Sequence, residues 1–338
     1  MEEEPGGDFN LIKKNQPNKG ELFQRYRDNP VVTAENWPYP VNAVFNPGAA
    51  RLPSGETVLL ATVENRSGAS FINVIRSSDG FTNWLIDEEP AIISEPLKFP
   101  EEMWGIGDPR VVYVPEMGQY AVTYTSFSES GSHVSLALTK DFMVFDKLGK
   151  ITQTQDKNAC IFPRKIGGRW LLIHQPVCAH QAGMYNEADI CLSYSDDLLM
   201  WEGTTSLLKA RLGSWWDANK IGLSTPPVET PCGWLIFYHG IRNTAAGCLY
   251  RVGAALLDLE NPAKVISRGD EWILGPKAFY ELVGNVNNVV FPCGFTVDEN
   301  SDEIRLYYGA ADSSIAVATG NISRILDWLE KLSRSIAS

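Results

Sequence analysis

Five times along the chain a turn carrying glycine adjoins an apolar, aromatic-rich stretch of strand length. The stretches are 51–62, 113–124, 162–174, 228–239 and 303–310. Thr62, Tyr124, His174, Tyr238 and Tyr308, taken as equivalent strand ends, recur at intervals of 50 to 70 residues. A second pattern, a Ser/Thr–Asp turn with an aromatic anchor, follows three of them at 77–84, 139–145 and 195–201. A turn, a buried strand and a later strand ending in an anchored turn make the unit of a four-stranded propeller blade. The intervals hold too much Gly, Pro, Ser and Asn for the long amphipathic helices of a parallel α/β fold. The expected fold is therefore all-β, a five-bladed β-propeller with a short C-terminal helix, forming one domain over 1–338. Residues 1–30 are polar and rich in Pro and Gly and are expected to cross the surface before the first blade. Ile325, Leu326, Leu329 and Leu332 recur at helical spacing, so a helix over 322–334 should pack on the outside of a blade.

A formal net charge of −12 argues against a nucleic-acid partner, because the phosphate backbone demands clustered Lys and Arg. No apolar run approaches the ~20 residues of a membrane helix, so no membrane partner is expected. The acidic start, Met1 to Asp8, lacks the positive segment and apolar run of an export signal, which points to the cytoplasm. The six cysteines at 160, 178, 191, 232, 248 and 293 form no Cys-x-x-Cys pair and have no clustered His, and are expected to be buried reduced thiols, with no metal.

Propellers gather strand ends and loops around a central channel, so polar residues at equivalent places in the repeats can converge. Asn46, Arg66, Asp108, Arg110, Lys157, Asn158, His174, Gln175, Lys220, His239 and Asp312 lie at such places. No nucleophile elbow, zinc-protease motif or Gly-rich phosphate loop is present, which leaves carboxylate chemistry. Asp108 leads, flanked by Gly107 and fixed by Pro109; its alternative is a turn Asp paired with Arg110. Glu229 and Glu281 are further carboxylates on or beside strands, each also readable as a solvated strand residue. Trp215 and Trp216 precede Lys220 in a turn of the sort that stacks on sugars or fills a core. His239 and Asp312 each end a strand next to small residues, His239 facing the channel or the sheet interior, Asp312 a site or a plain turn residue.

In order along the chain, 45–49, 107–110, 162–164, 216–220, 229–234, 238–240, 253–258, 288–294 and 307–312 resemble glycoside hydrolase family 130, the β-mannoside phosphorylases and related β-mannosidases. The resemblance implies a five-bladed propeller, in agreement with the repeats. It implies that Asp108 is the general acid, its proton passing through the 3-hydroxyl of a bound mannose to the glycosidic oxygen. Inorganic phosphate would attack from the opposite face and release α-mannose 1-phosphate with inversion. By the same resemblance Lys157, Lys220, His239 and Tyr250 would hold phosphate, and Asn46, Arg66, Asn158 and Asp312 would line the mannose side. Phosphate would be a co-substrate, and general acid chemistry calls for no other cofactor.

The chain departs from the family at three places, with Thr62 and Gln175 where members commonly have Arg, and Gly107 where they have Glu. Each lost charged contact to phosphate would remove ~1.5–3 kcal/mol of binding. Three readings follow: a mannoside phosphorylase; an inverting hydrolase with Glu229 or Glu281 activating water, which needs acid and base about 6.5–9.5 Å apart; and a sugar-binding propeller without turnover. The partner is a mannoside or oligosaccharide in all three; the linkage is open, as is assembly into a homo-oligomer.

Overall fold

The structure is a computed structural model that describes residues 21–177, 188–298 and 301–337. Cys178 and residues 1–20 of the expected surface segment lie outside the described residues. Within them the chain is all-β with two α-helices, α1 (Phe279–Leu282) and α2 (Ile322–Ala337).

The strands form antiparallel meanders in chain order. The first runs Val41–Arg51, Thr57–Asn65, Ser70–Ser77 and Leu85–Ile86. The second runs Gly105–Val114, Gln119–Ser128, Gly131–Thr139 and Phe145–Lys150, and is joined to the first in a ladder by the parallel pair Ser70 and Gly105. The third comprises Asp156–Ile161, Trp170–Pro176, Ile190–Ser195 and Glu202–Leu208. In the fourth, Lys220–Leu223 and Val228–Thr230 both pair with Gly233–Thr244, followed by Gly247–Leu257 and Val265–Arg268. The last runs Val290–Val297, Glu303–Ala310 and Ser314–Asn321, and receives Gln24–Arg25 and Val32–Thr33 from the start of the chain.

Opening strands pack on one another. Val41–Arg51 lies against Gly105–Val114 and Val290–Val297, and Asp156–Ile161 lies against Gly105–Val114 and Lys220–Leu223. Apolar side chains fill the spaces between successive sheets: Leu60, Ile72, Val111 and Val122 between the first and second, Leu59, Ala61, Tyr307 and Val317 between the first and last. These strands are buried on both faces, which explains why they read as apolar runs rather than as alternation.

The Ser/Thr–Asp turns are one device used three times. The hydroxyl of Ser77, Thr139 or Ser195 accepts the backbone N–H three residues on, and the carboxylate of Asp79, Asp141 or Asp197 accepts the next two. Each carboxylate is thereby held below its ordinary range. α2 buries Ile325 and Leu329 against Leu235, Val252 and Ala254 of the fourth sheet and Leu306 of the last, so it packs outside the sheets as its spacing predicts. The cysteine expectation needs correction: Cys160, Cys191 and Cys293 are buried, but Cys232 and Cys248 are exposed, and all five are unbridged.

Candidate active site

The opening strands of the first three meanders carry the same irregularity. Their ladders shift register between Phe45 and Gly48, between Gly107 and Arg110, and between Lys157 and Cys160. Inside these bulges sit Asn46, Asp108 and Asn158, with φ of 45°, 53° and 52°. A bulge re-aims a side chain, and Asn and Asp are the side-chain-bearing residues that best tolerate a left-handed backbone. Three strained residues at equivalent points of neighbouring strands thus turn their side chains toward one place.

Asn46 donates Nδ2–H to Asp108 Oδ1 at 2.8 Å, and the Asp108 N–H donates to Thr62 Oγ1 at 2.9 Å. Arg110 does not pair with the Asp108 carboxylate, which disposes of the turn-pair alternative. Its buried guanidinium donates to the carbonyls of Asp108 at 2.7 Å, Ser224 at 2.9 Å and Leu223 at 3.0 Å, and to Asn158 Oδ1 at 3.2 Å. Arg110 therefore joins the second, third and fourth meanders beneath the acid. A positive charge with only neutral acceptors around it also raises the local potential.

His239 feels that charge, together with those of Lys157 and Lys220. Burial first, then Lys220, lowers the Lys157 pKa, with Asp108 opposing. Burial, Arg110, Lys157 and Lys220 hold His239 well below its ordinary 6.5, so the ring is neutral at pH 7 and serves as a hydrogen-bonding group rather than a cation. It faces the cluster, stacked with Tyr250 at 6.2 Å and tilted on Phe291 at 4.6 Å. Burial, then Cys248 and Asp312, raises the Tyr250 phenol, which stays protonated as a donor.

Asp312 follows Glu303–Ala310 with φ 48°, and burial, Asp108 and Glu64 push its pKa from 3.8 up to about 7. A carboxyl that stays protonated when folded is stabilising only while the unfolded chain would also hold its proton. Folding stability therefore falls as pH rises from about 4 to about 7. Asp312→Asn deletes this dependence, and its Tm relative to wild type is expected to be higher at pH 8 than at pH 5. A difference constant across that range would show that Asp312 titrates normally.

The two glutamates do not join this cluster. Glu229 is exposed, accepts Arg164 Nη2–H at 2.8 Å, and lines a cavity of about 930 Å³ with Pro53, Tyr113 and Pro227 at the opposite ends of the opening strands. Glu281 is fully buried in a structural clasp, accepting from Arg25, the Tyr308 hydroxyl and the N–H groups of Lys277 and Ala278. The expectation that Glu229 or Glu281 contacts substrate, or activates water there, is corrected: a carboxylate beside a strand gives no sign in the sequence of which end of the strand it serves. Arg66 is exposed in the turn after Thr57–Asn65. Trp216 is core, stacked on Tyr238 at 5.6 Å, while Trp215 is exposed beneath Arg211. His174 is pinned inside its sheet between Asp156 Oδ2 at 2.5 Å and Ser193 Oγ at 2.8 Å.

Two of the sequence departures prove to be one. A Cβ on Gly107 would lie 2.8 Å from Thr62 Cγ2, so these positions touch, and a change at either reshapes the same space. The joining role of Arg110 escaped sequence reasoning. The aligned signal Asn46-Pro47, Asp108-Pro109 and Asn158-Ala159 at the strand openings could have revealed the shared bulge.

An all-β chain whose bulged strands bring one acid to a pocket of lysines and neutral donors has the architecture of a propeller-like carbohydrate enzyme. The profile of glycoside hydrolase family 130, described as beta-1,4-mannooligosaccharide phosphorylase, matches residues 13–331, and the chain belongs to that family. It is 30% identical to the beta-1,4-mannooligosaccharide phosphorylase of Ruminococcus albus over 92% of this chain and 91% of the relative. It is 36% identical to the beta-1,2-mannobiose phosphorylase of Listeria innocua over 77% of this chain and 69% of the relative. A solved structure of a beta-1,2-mannobiose phosphorylase from Listeria innocua, complexed with beta-1,2-mannobiose, superposes with a TM-score of 0.81 at 29% identity, over 91% of this chain and 99% of that one.

Proposed function

We propose that the chain cleaves β-mannosides by inverting phosphorolysis, yielding α-mannose 1-phosphate and the shortened sugar. The observation that carries this reading is the pairing of Asp108, one carboxyl oxygen engaged by Asn46, with the cluster of Lys157, Lys220, neutral His239 and Tyr250. The acid's other oxygen is left to deliver a proton toward the departing sugar, and the cluster offers a dianion both charge and neutral donors. Asn46 Oδ1, buried and without a partner among the described residues, offers an acceptor to a sugar hydroxyl. Asn158 and Asp312, with Arg66 at the rim, complete the mannose side.

The hydrolytic alternative loses its assigned bases, because Glu229 and Glu281 are engaged elsewhere. The successive packing of opening strands, with strands from both chain ends in the last sheet, supports a closed five-bladed propeller spanning 1–338 as one domain. The exposed free thiols Cys232 and Cys248 suit a reducing cytoplasm, and no described helix is long and apolar enough to cross a membrane. Phosphate is the co-substrate and no other cofactor enters the scheme.

NMR product analysis with β-1,2- and β-1,4-linked mannosides, with and without phosphate, tests the proposal and identifies the linkage. Phosphate-dependent α-mannose 1-phosphate is expected. Free mannose formed regardless of phosphate would replace this reading with hydrolysis, and no product from either linkage would overturn it.

A further inference from the structure

The hydrogen bonds beneath the site run in one direction, set by the one residue that cannot accept. Arg110 has only N–H groups, so Asn158 must meet it with Oδ1. The Asn158 amide is then obliged to present Nδ2–H to its other neighbour, and it does so to Gln175 Oε1 at 2.7 Å. With its oxygen so occupied, the Gln175 amide has its N–H groups left over. Gln175 is 1% exposed, and among the described residues its Nε2 has no partner. A buried donor left unsatisfied costs ~1–3 kcal/mol, a cost that a ligand acceptor would recover.

The surroundings of this amide are as determined as its direction. Its backbone N–H is tied to Asp156 Oδ1 at 3.1 Å, and Gln175 pairs in register with Lys157. Across from it stands His239, and only the bare Cα of Gly222 lets the two side chains approach. A Cβ there would lie 2.7 Å from both Gln175 Oε1 and His239 Nε2. The amide therefore sits between a lysine and a neutral imidazole, where a chain short of two family arginines needs donors.

We propose that Gln175 determines specificity in the nucleophile site, its Nε2–H donating to an oxygen of the attacking phosphate, with Arg110 and Asn158 fixing the amide's orientation. This rests on the phosphorolysis reading. The anion is then held by two lysines and by neutral donors, and the Gln175 position supplies direction without charge.

The test is Gln175→Glu, which keeps an acceptor for Asn158 Nδ2 while replacing the leftover donor with an acceptor. Gln175→Leu, which removes both, accompanies it. With saturating mannoside, the KM for phosphate is expected to rise about tenfold or more in Gln175→Glu while the KM for mannoside stays within twofold. A purely structural role would instead lower Tm and kcat without separating the two KM values. If wild type is active and the phosphate KM of Gln175→Glu changes less than threefold, this inference is overturned and phosphorolysis stands. If wild type releases no mannose 1-phosphate, phosphorolysis falls, and ³¹P line broadening of inorganic phosphate decides separately: binding weakened by Gln175→Glu supports the donor, and unchanged or absent binding overturns it.

Discussion

Asp108→Asn is expected to lower kcat for mannoside cleavage by about 10²- to 10⁴-fold, the range that a positioned general acid contributes. The substitution is chosen because it leaves nearly everything else in place. Asparagine tolerates the left-handed backbone at φ 53°, keeps an oxygen for Asn46 Nδ2–H, and preserves both the N–H bond to Thr62 and the carbonyl bond from Arg110. What it cannot do is give up a proton to a leaving sugar. Release of mannose 1-phosphate measured beside thermal melting separates the two contributions. An intact Tm with activity reduced by at least 10²-fold is the predicted pair, and near wild-type activity would remove Asp108 from the chemistry.

Glu281→Ala should produce the opposite pair: a loss of about 3–5 kcal/mol of stability with the kcat of the folded enzyme unchanged. Removing one partner of a largely buried ion pair costs about this much when the donors it satisfied lose their acceptor. Arg25, partly buried, donates to Glu281 through Nε at 2.7 Å and Nη2 at 3.0 Å and would keep only its second carboxylate, Glu21, at 2.7 Å. The Glu281 carboxylate also satisfies the Lys277 and Ala278 N–H groups at the start of α1 and the buried Tyr308 hydroxyl at 2.8 Å. Arg25 belongs to a strand from the beginning of the chain that pairs with Ser314–Asn321 near its end, so the loss should loosen the join between the two. Urea denaturation followed by tryptophan fluorescence reads the stability. Full stability with lost turnover would return Glu281 to the list of candidate bases.

These variants separate carboxylates that look alike in the sequence. Asp108 was legible there because Gly107 and Pro109 bracket it and the surrounding motifs resemble one family over most of the chain. That Lys157, Lys220, His239 and Tyr250 lie together was legible by the same resemblance. The charge states inside the group were not, since the neutrality of His239 comes from burial and from cations brought near it by three other strands. Glu229 misled because alternation along a strand reports which face a side chain takes, but not which end of the strand the site lies near. The hydroxyl–carboxylate turns at Ser77, Thr139 and Ser195 were readable because all their bonds close within five residues.

By itself, the sequence determined the all-β class, the repeated unit, the outer helix and the family, because each depends on local periodicity or on ordered short motifs. Only the tertiary structure decided that Arg110 lies beneath the acid rather than against it, that Thr62 and Gly107 share one space, and that the Gln175 amide keeps a donor without a partner among the described residues. Those facts depend on contacts between strands 17 to 114 residues apart, where each hydrogen bond has a direction that no residue sets alone.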